Sequence, residues 1–340
     1  MKSYAKFFKL LSLTIIFSMS ACSNNNQNNN SEPSSEDDDI LLPKATSDAP
    51  EFLLSLPIPS GYSRTPSIDE RGTVEVFDYT TKVYDINGDY TEEITKHADV
   101  YLPYGYDENK TYDVLYLMHG GGETYTYWLT EQTTTVNVLD NVFIYEDANP
   151  CIVVAPTFYT GSNTGIASEA TDIFQYEFRN DLIPQLEAHY ATYCKGNVTP
   201  NNLIRTRYHR AFAGLSMGSM TSIRSALLGC LDICAYISSM SGGYDANDST
   251  GQAGYNLIHE ALTNRFKDYP IGYWLNQNGT SDMALTPHEN LKNLILNNMG
   301  DYFTEGKNFS WIKFQGGAHD YRSWIVGLYN TLQVSFKLFK

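Results

Sequence analysis

The chain has 340 residues, carries 23 Lys+Arg against 39 Asp+Glu for a formal charge of −16, and is 42% hydrophobic. That charge argues against a protein that holds nucleic acid by neutralising phosphates. Ordinary glycine and proline totals of 24 and 13 exclude a collagenous chain, and the length is enough for one full hydrophobic core.

Residues 1–21 read as an address. Lys2, Lys6 and Lys9 precede an apolar run at 10–17 that is too short to cross a bilayer comfortably. Met19-Ser20-Ala21-Cys22 then places small residues before a cysteine. This resembles a bacterial lipoprotein signal, in which Cys22 takes the lipid and becomes the new N-terminus. The alternative is an ordinary secretory signal with an incidental cysteine. Both readings place the protein outside the cytoplasm, and the first anchors it to a bacterial membrane or cell surface. Cleavage before Cys22 removes three lysines and takes the formal charge to −19. Residues 22–50, rich in Asn, Ser and acid, have no apolar periodicity and are expected to act as an acidic tether. Residues 51–340 are expected to form the folded domain. Cys151, Cys194, Cys230 and Cys234 lie within it, with no C-x-x-C pair to suggest zinc, and are expected to be buried thiols.

Alternating apolar and polar residues predict half-exposed strands at 73–82 and 94–102. The continuous apolar runs 113–118 (DVLYLM) and 151–155 (CIVVA) predict buried parallel strands. Phe174, Phe178, Leu182, Leu186 and His189 recur near helical spacing over 173–190, with Pro184 as a kink or restart. Further strands are predicted at 210–215, 235–240, 271–276 and 309–314, and helices at 217–228, 287–299 and 321–337. Strands alternating with helices predict an α/β fold, a mostly parallel central sheet with helices on both faces.

The chemistry gathers at predicted strand ends. Gly214-Leu215-Ser216-Met217-Gly218 joins a strand to a helix, as a nucleophile elbow requires. Among seven histidines, His319 follows the last strand in Gly316-Gly317-Ala318-His319-Asp320, where a base would stand at the carboxyl edge of the sheet beside Ser216. The orienting acid is expected between them in the chain. Asp282 is preferred because it follows the 271–276 strand, with Asp245 and Glu289 as alternatives. His119-Gly120-Gly121-Gly122 follows DVLYLM and reads as an oxyanion loop, with donors expected from the N–H groups of Gly121 and Met217. Tyr125, Trp128, Tyr159 and Trp324 cluster near these motifs and are candidate substrate-contact residues. They read equally well as surface and core aromatics of a chain with 26 tyrosines.

Taken together, ADVYLPYGY (98–106), DVLYLMHGGG (113–122), DLIPQLEAHY (181–190), RAFAGLSMGSM (210–220) and GGAHDYRSW (316–324) resemble carbohydrate esterase family 1 on the α/β-hydrolase fold. The resemblance covers about residues 70–340, and RGTVEVFDYTT (71–81) is similar to the opening of feruloyl esterase domains attached to xylanases. It implies Ser216 as nucleophile, His319 as base and Asp282 as acid, without cofactor or metal. It implies plant cell-wall polysaccharide, feruloylated or acetylated xylan, as the partner. The chain departs from the family where Gly218 is followed by Ser219 instead of a second glycine. A feruloyl esterase is the expectation. An acetyl xylan esterase, or a non-catalytic glycan-binding lipoprotein on a hydrolase scaffold, is the alternative.

Overall fold

Buried apolar strands dictate the centre of the molecule. The computed structural model describes residues 57–160 and 167–337. The expected signal 1–21, Cys22 and the tether 22–50 lie outside the described residues. Among those described, eight strands form one sheet: β1 (Thr73–Tyr84), β2 (Tyr90–Leu102), β3 (Asp113–Met118), β4 (Cys151–Ala155), β5 (Arg210–Leu215), β6 (Tyr236–Met240), β7 (Tyr273–Gly279) and β8 (Phe309–Phe314). Their order is β1-β2-β4-β3-β5-β6-β7-β8. β1 and β2 form an antiparallel ribbon that joins the sheet through β4, and every pair from β4 to β8 is parallel. Parallel neighbours need crossovers, and these bring the helices onto the two faces.

The period of two along β3 sorts the core. Val114, Tyr116 and Met118 point to one face, where Phe174 and Phe178 pack with Ile223 and Leu291. Leu115 and Leu117 point to the other, against Val138, Leu139 and Val142 of α1 (Thr133–Ile144) and Ile325 and Leu328 of α9 (Tyr321–Val334). Between α1 and α9 in chain order lie α2 (Ala167–Glu177), α3 (Ile183–His189), α4 (Pro200–Arg205), α5 (Met217–Thr221), α6 (Leu228–Cys230), α7 (Gln252–Glu260) and α8 (Leu285–Asn298). This is the α/β-hydrolase architecture expected.

The fully buried runs 113–118, 151–155 and 210–215 keep their predicted bounds, as does the partly exposed 309–314 at the sheet edge. Three helices go beyond the sequence reading: α1, whose threonines and valines favour strands, the short α4, and α7. The expected 173–190 helix is continued by a π turn at Phe178–Leu182, and Pro184 falls in the first turn of α3, where its missing N–H costs nothing. Residues 57–72 wrap the α1/α9 face. Tyr62 is buried there, donates to Asp147 at 2.6 Å and stacks on Tyr145. Cys151, Cys194, Cys230 and Cys234 are buried free thiols, and burial pushes Cys194 and Cys230 up to about 11.

Candidate active site

Ser216 sits between β5 and α5 at φ 52 and ψ −115, a strained conformation for a residue with a Cβ. Space fixes the glycines around it. A Cβ on Gly214 would lie 2.2 Å from the Gly218 carbonyl oxygen, and one on Gly218 would lie 2.3 Å from the His119 oxygen. Ser216 N–H is bound to Met240 O of β6 at 2.9 Å. The hydroxyl therefore stands above the sheet at a helix start.

Two loops at neighbouring strand ends bring the other groups to it. β7 ends at Gly279 and β8 is followed by Gly316-Gly317. The loops touch backbone to backbone: a Cβ on Gly279 would lie 2.1 Å from Gly317 O, and Ser281 N–H donates to that oxygen at 2.9 Å. Asp320 caps α9 by accepting from Ser323 N–H, which fixes His319 one residue before the cap. His319 Nε2 lies 2.9 Å from Ser216 Oγ, and Nδ1 lies 2.9 Å from Asp282 Oδ1. Burial pushes the Asp282 carboxyl up, but hydrogen bonds from His319 Nδ1–H and Ala284 N–H, with the Ser241 hydroxyl close by, outweigh it and hold its pKa below the ordinary value. An ionised Asp282 accepts, so Nδ1 carries the ring proton and Nε2 is free to accept from the Ser216 hydroxyl. The structure thus unites Ser216, His319 and Asp282 in one hydrogen-bonded row. Of the alternatives for the acid, Glu289 is bound to Lys313 at 2.8 Å, and Asp245 closes its own turn by accepting from Asn247 N–H.

The glycine loop leans on the elbow, with a Cβ on Gly121 falling 2.8 Å from Met217 Sδ. Its amides divide cleanly. Gly120 N–H is taken by Glu123 Oε2 at 2.7 Å and Gly122 N–H by the Tyr159 hydroxyl at 3.0 Å. Gly121 N–H alone of the three has no acceptor among the described residues. Met217 N–H lies in the first turn of a helix, where no intrahelical acceptor exists. Two free donors beside a serine hydroxyl can receive a developing oxyanion. His119 fastens the loop: Nδ1–H donates to Gly120 O at 2.7 Å and Nε2 accepts from the Thr157 hydroxyl at 2.8 Å. Burial lowers its pKa to about 4, so it stays neutral above that range.

Beside this loop lies a mostly apolar cleft of about 450 Å³, lined by Thr95, Lys96, His97, Gly122, Glu123, Thr124, Tyr125, Thr157 and Tyr159. Tyr125 and Tyr159 line it. Trp128 and Trp324 do not. Trp128 is fully buried and spends its indole N–H on Met118 O at 3.1 Å, supporting the loop from beneath. Trp324 is buried and donates to Ser241 Oγ at 2.8 Å. Glu123, Thr157, His97 and Ser241 carried no local sequence signal, because tertiary contacts alone bring them here. A larger polar cleft of about 550 Å³, lined by Glu108, Lys110, His189 and Lys195 among others, lies at the amino-terminal end of β3, away from the row.

Comparison with known proteins agrees with this geometry. Residues 93–332 match the family model Esterase, described as "Putative esterase". The fold is similar to the feruloyl esterase module of Clostridium thermocellum, solved as a serine-to-alanine mutant with sinapinate, at 29% identity and a TM-score of 0.70 over 87% of this chain and 97% of that one. A ferulic acid esterase from Anaeromyces mucronatus shares the fold at 23% identity and a TM-score of 0.63, over 85% of this chain and all of that one. In sequence the chain is 41% identical over 168 residues to endo-1,4-beta-xylanase Y of Acetivibrio thermocellus. That match covers 49% of this chain and 15% of the xylanase, so the chain spans only a small part of that relative's length.

Proposed function

The chain belongs to the Esterase family and is a serine carboxylic ester hydrolase, and from this premise we propose that it is a lipid-anchored extracytoplasmic esterase that removes hydroxycinnamoyl groups, feruloyl above all, from arabinoxylan of the plant cell wall. In this reading Ser216 Oγ attacks the ester carbonyl carbon while His319 Nε2 takes its proton. Asp282 holds the Nδ1–H tautomer and stabilises the imidazolium. The carbonyl oxygen, now negative, accepts from Gly121 and Met217 N–H. Collapse of the tetrahedral species expels the sugar alkoxide, to which His319 returns the proton. Water then attacks the acyl-enzyme, giving its proton to His319. Collapse of this second species releases the carboxylic acid and restores the serine.

The observation that carries the acyl preference is the tyrosine-bearing cleft beside the glycine loop. Its apolar walls suit an aromatic ring, whereas an acetyl group would leave most of about 450 Å³ unfilled. The named activity of the similar feruloyl esterase module points the same way, and the name of the xylanase relative points to xylan as the polysaccharide. Two measurements test it. Ser216→Ala should lower hydrolysis of an aryl ester by about 10⁶-fold without loss of fold, as removal of a serine nucleophile does elsewhere. On arabinoxylan, ferulate should be released in preference to acetate. Release of acetate alone would turn the reading to an acetyl esterase, and retained activity in Ser216→Ala would reject the nucleophile.

A further inference from the structure

Asp282 has two carboxylate oxygens, and the row uses one. Oδ1 accepts from His319 Nδ1–H at 2.9 Å and from Ala284 N–H at 2.8 Å. Oδ2 is buried and lacks a partner in full bonding geometry. The Ser241 hydroxyl faces the carboxyl closely enough to help lower its pKa. Hydrogen bonds of a resting site are often long and tighten with substrate.

Ser241 follows the last residue of β6 and is buried at φ 59. A left-handed backbone is where glycine ordinarily stands, since any Cβ is strained there. The next two residues, Gly242 and Gly243, are glycines, yet neither lies in the left-handed region. The strained position keeps a side chain. Its N–H is bound to Gln277 O of β7 at 2.8 Å, which locks the residue between strands. Its hydroxyl oxygen accepts from Trp324 Nε1–H at 2.8 Å. A hydroxyl has one proton to give. With the indole donating into the oxygen, that proton is left for the carboxylate. The Trp324 ring also stands edge-on to the His319 ring, 5.3 Å between centroids at 89°.

We propose that Ser241 and Trp324 are positioning residues: the indole N–H orients the Ser241 hydroxyl, which donates to Asp282 Oδ2 and fixes the carboxylate that holds His319. This rests on the reading of Asp282 as the acid of the site. A donor to the carboxylate stabilises the Asp–His pair with net charge −1 more than the same pair carrying an added proton, wherever that proton sits. Removing the donor therefore raises the apparent pKa of the pair and moves the acidic limb of kcat/KM to higher pH. The other titratable groups facing the pair are Glu123 of the glycine loop and His288 of α8. Both are retained in the variants below, so wild type is their reference.

Ser241→Gly removes the hydroxyl and suits φ 59, so the fold is not at risk. Trp324→Phe keeps a ring beside His319 and removes the N–H. Ser241→Gly relieves the left-handed strain but leaves the buried Trp324 N–H without its acceptor, so it should change Tm little, lower kcat about 10-fold with little change in KM, and shift the acidic limb up by about half a pH unit. Trp324→Phe should move both in the same direction by less, and the double variant should lose no more than Ser241→Gly alone. An unmoved limb, or losses that add in the double variant, overturns the relay. Asp282→Asn separates the two readings: if it inactivates while Ser241→Gly is silent, only the relay fails, and if it stays active the acid assignment falls too.

Discussion

At Gly218 the limit is space, and at Ser216 it is conformation. The serine holds a backbone at φ 52 that costs a residue with a Cβ about 1–3 kcal/mol and persists only where the surroundings enforce it. Part of that enforcement is the close passage of Gly218 under the glycine loop, where a Cβ would meet His119 O at 2.3 Å and Met118 O at 2.6 Å. Both obstacles are backbone, so neither can swing away. Gly218→Ala should therefore push the loop off the elbow, at a cost of about 1–3 kcal/mol for overpacking. It should also separate Gly121 N–H from Met217 N–H, and a displacement of about 1 Å at such donors costs about 10²-fold in rate. The measurement is kcat beside Tm, and a variant that melts early yet retains full kcat would show that the oxyanion donors do not depend on this contact.

Strands buried on both faces were legible in the sequence because nothing polar interrupts them; 113–118 and 151–155 are the clearest cases. The end of β7 was not, since Asn276, Gln277 and Asn278 look like loop residues. They are buried because His288 lies between the Asn276 and Asn278 side chains and Gln277 O accepts from Ser241. Ser216, His319 and Asp282 could be found because chain order and strand ends constrain them, whereas Ser241 depends on contacts 83 residues away, with Trp324. The ribbon β1–β2 shows the same dependence. Lys96 of β2 donates to Glu177 of α2 at 2.8 and 2.7 Å and to Thr157 O at 2.6 Å, and the Tyr79 hydroxyl closes the set on Glu177 at 2.6 Å. The pair is buried, and Lys96 forms part of the cleft wall. Lys96→Met leaves the Glu177 carboxylate without its cation, which should cost about 3–5 kcal/mol, while Lys96→Met with Glu177→Leu should cost much less. Denaturant unfolding of the two variants decides this, and equal losses would mean that the pair acts by shape alone.

The site lies at the carboxyl edge of the parallel strands, built by the ends of β3, β5, β7 and β8 and therefore by residues spread over the whole domain. The role proposed for residues 1–50 is attachment. Charge sharpens this point. The formal charge is −16, and it would be −19 in the proposed processed form without the lysines before Cys22. A bacterial membrane surface is itself anionic, so the protein and the bilayer repel, and each basic residue that could have offered roughly 1 kcal/mol of surface attraction is outnumbered by acids. In the proposed reading, retention at the membrane rests on acyl chains carried by Cys22, since more than one chain is needed to hold stably. Cys22→Ala in the full chain should abolish incorporation of a palmitate analogue and leave the esterase in the soluble fraction at both low and high salt. Hydrolysis of a small soluble ester should be unchanged, because Cys22 is far in sequence from every group of the row. Membrane retention of the unlabelled variant that weakens as salt rises would instead reveal an electrostatic contact that the charge balance argues against, and the anchoring role of Cys22 would be withdrawn.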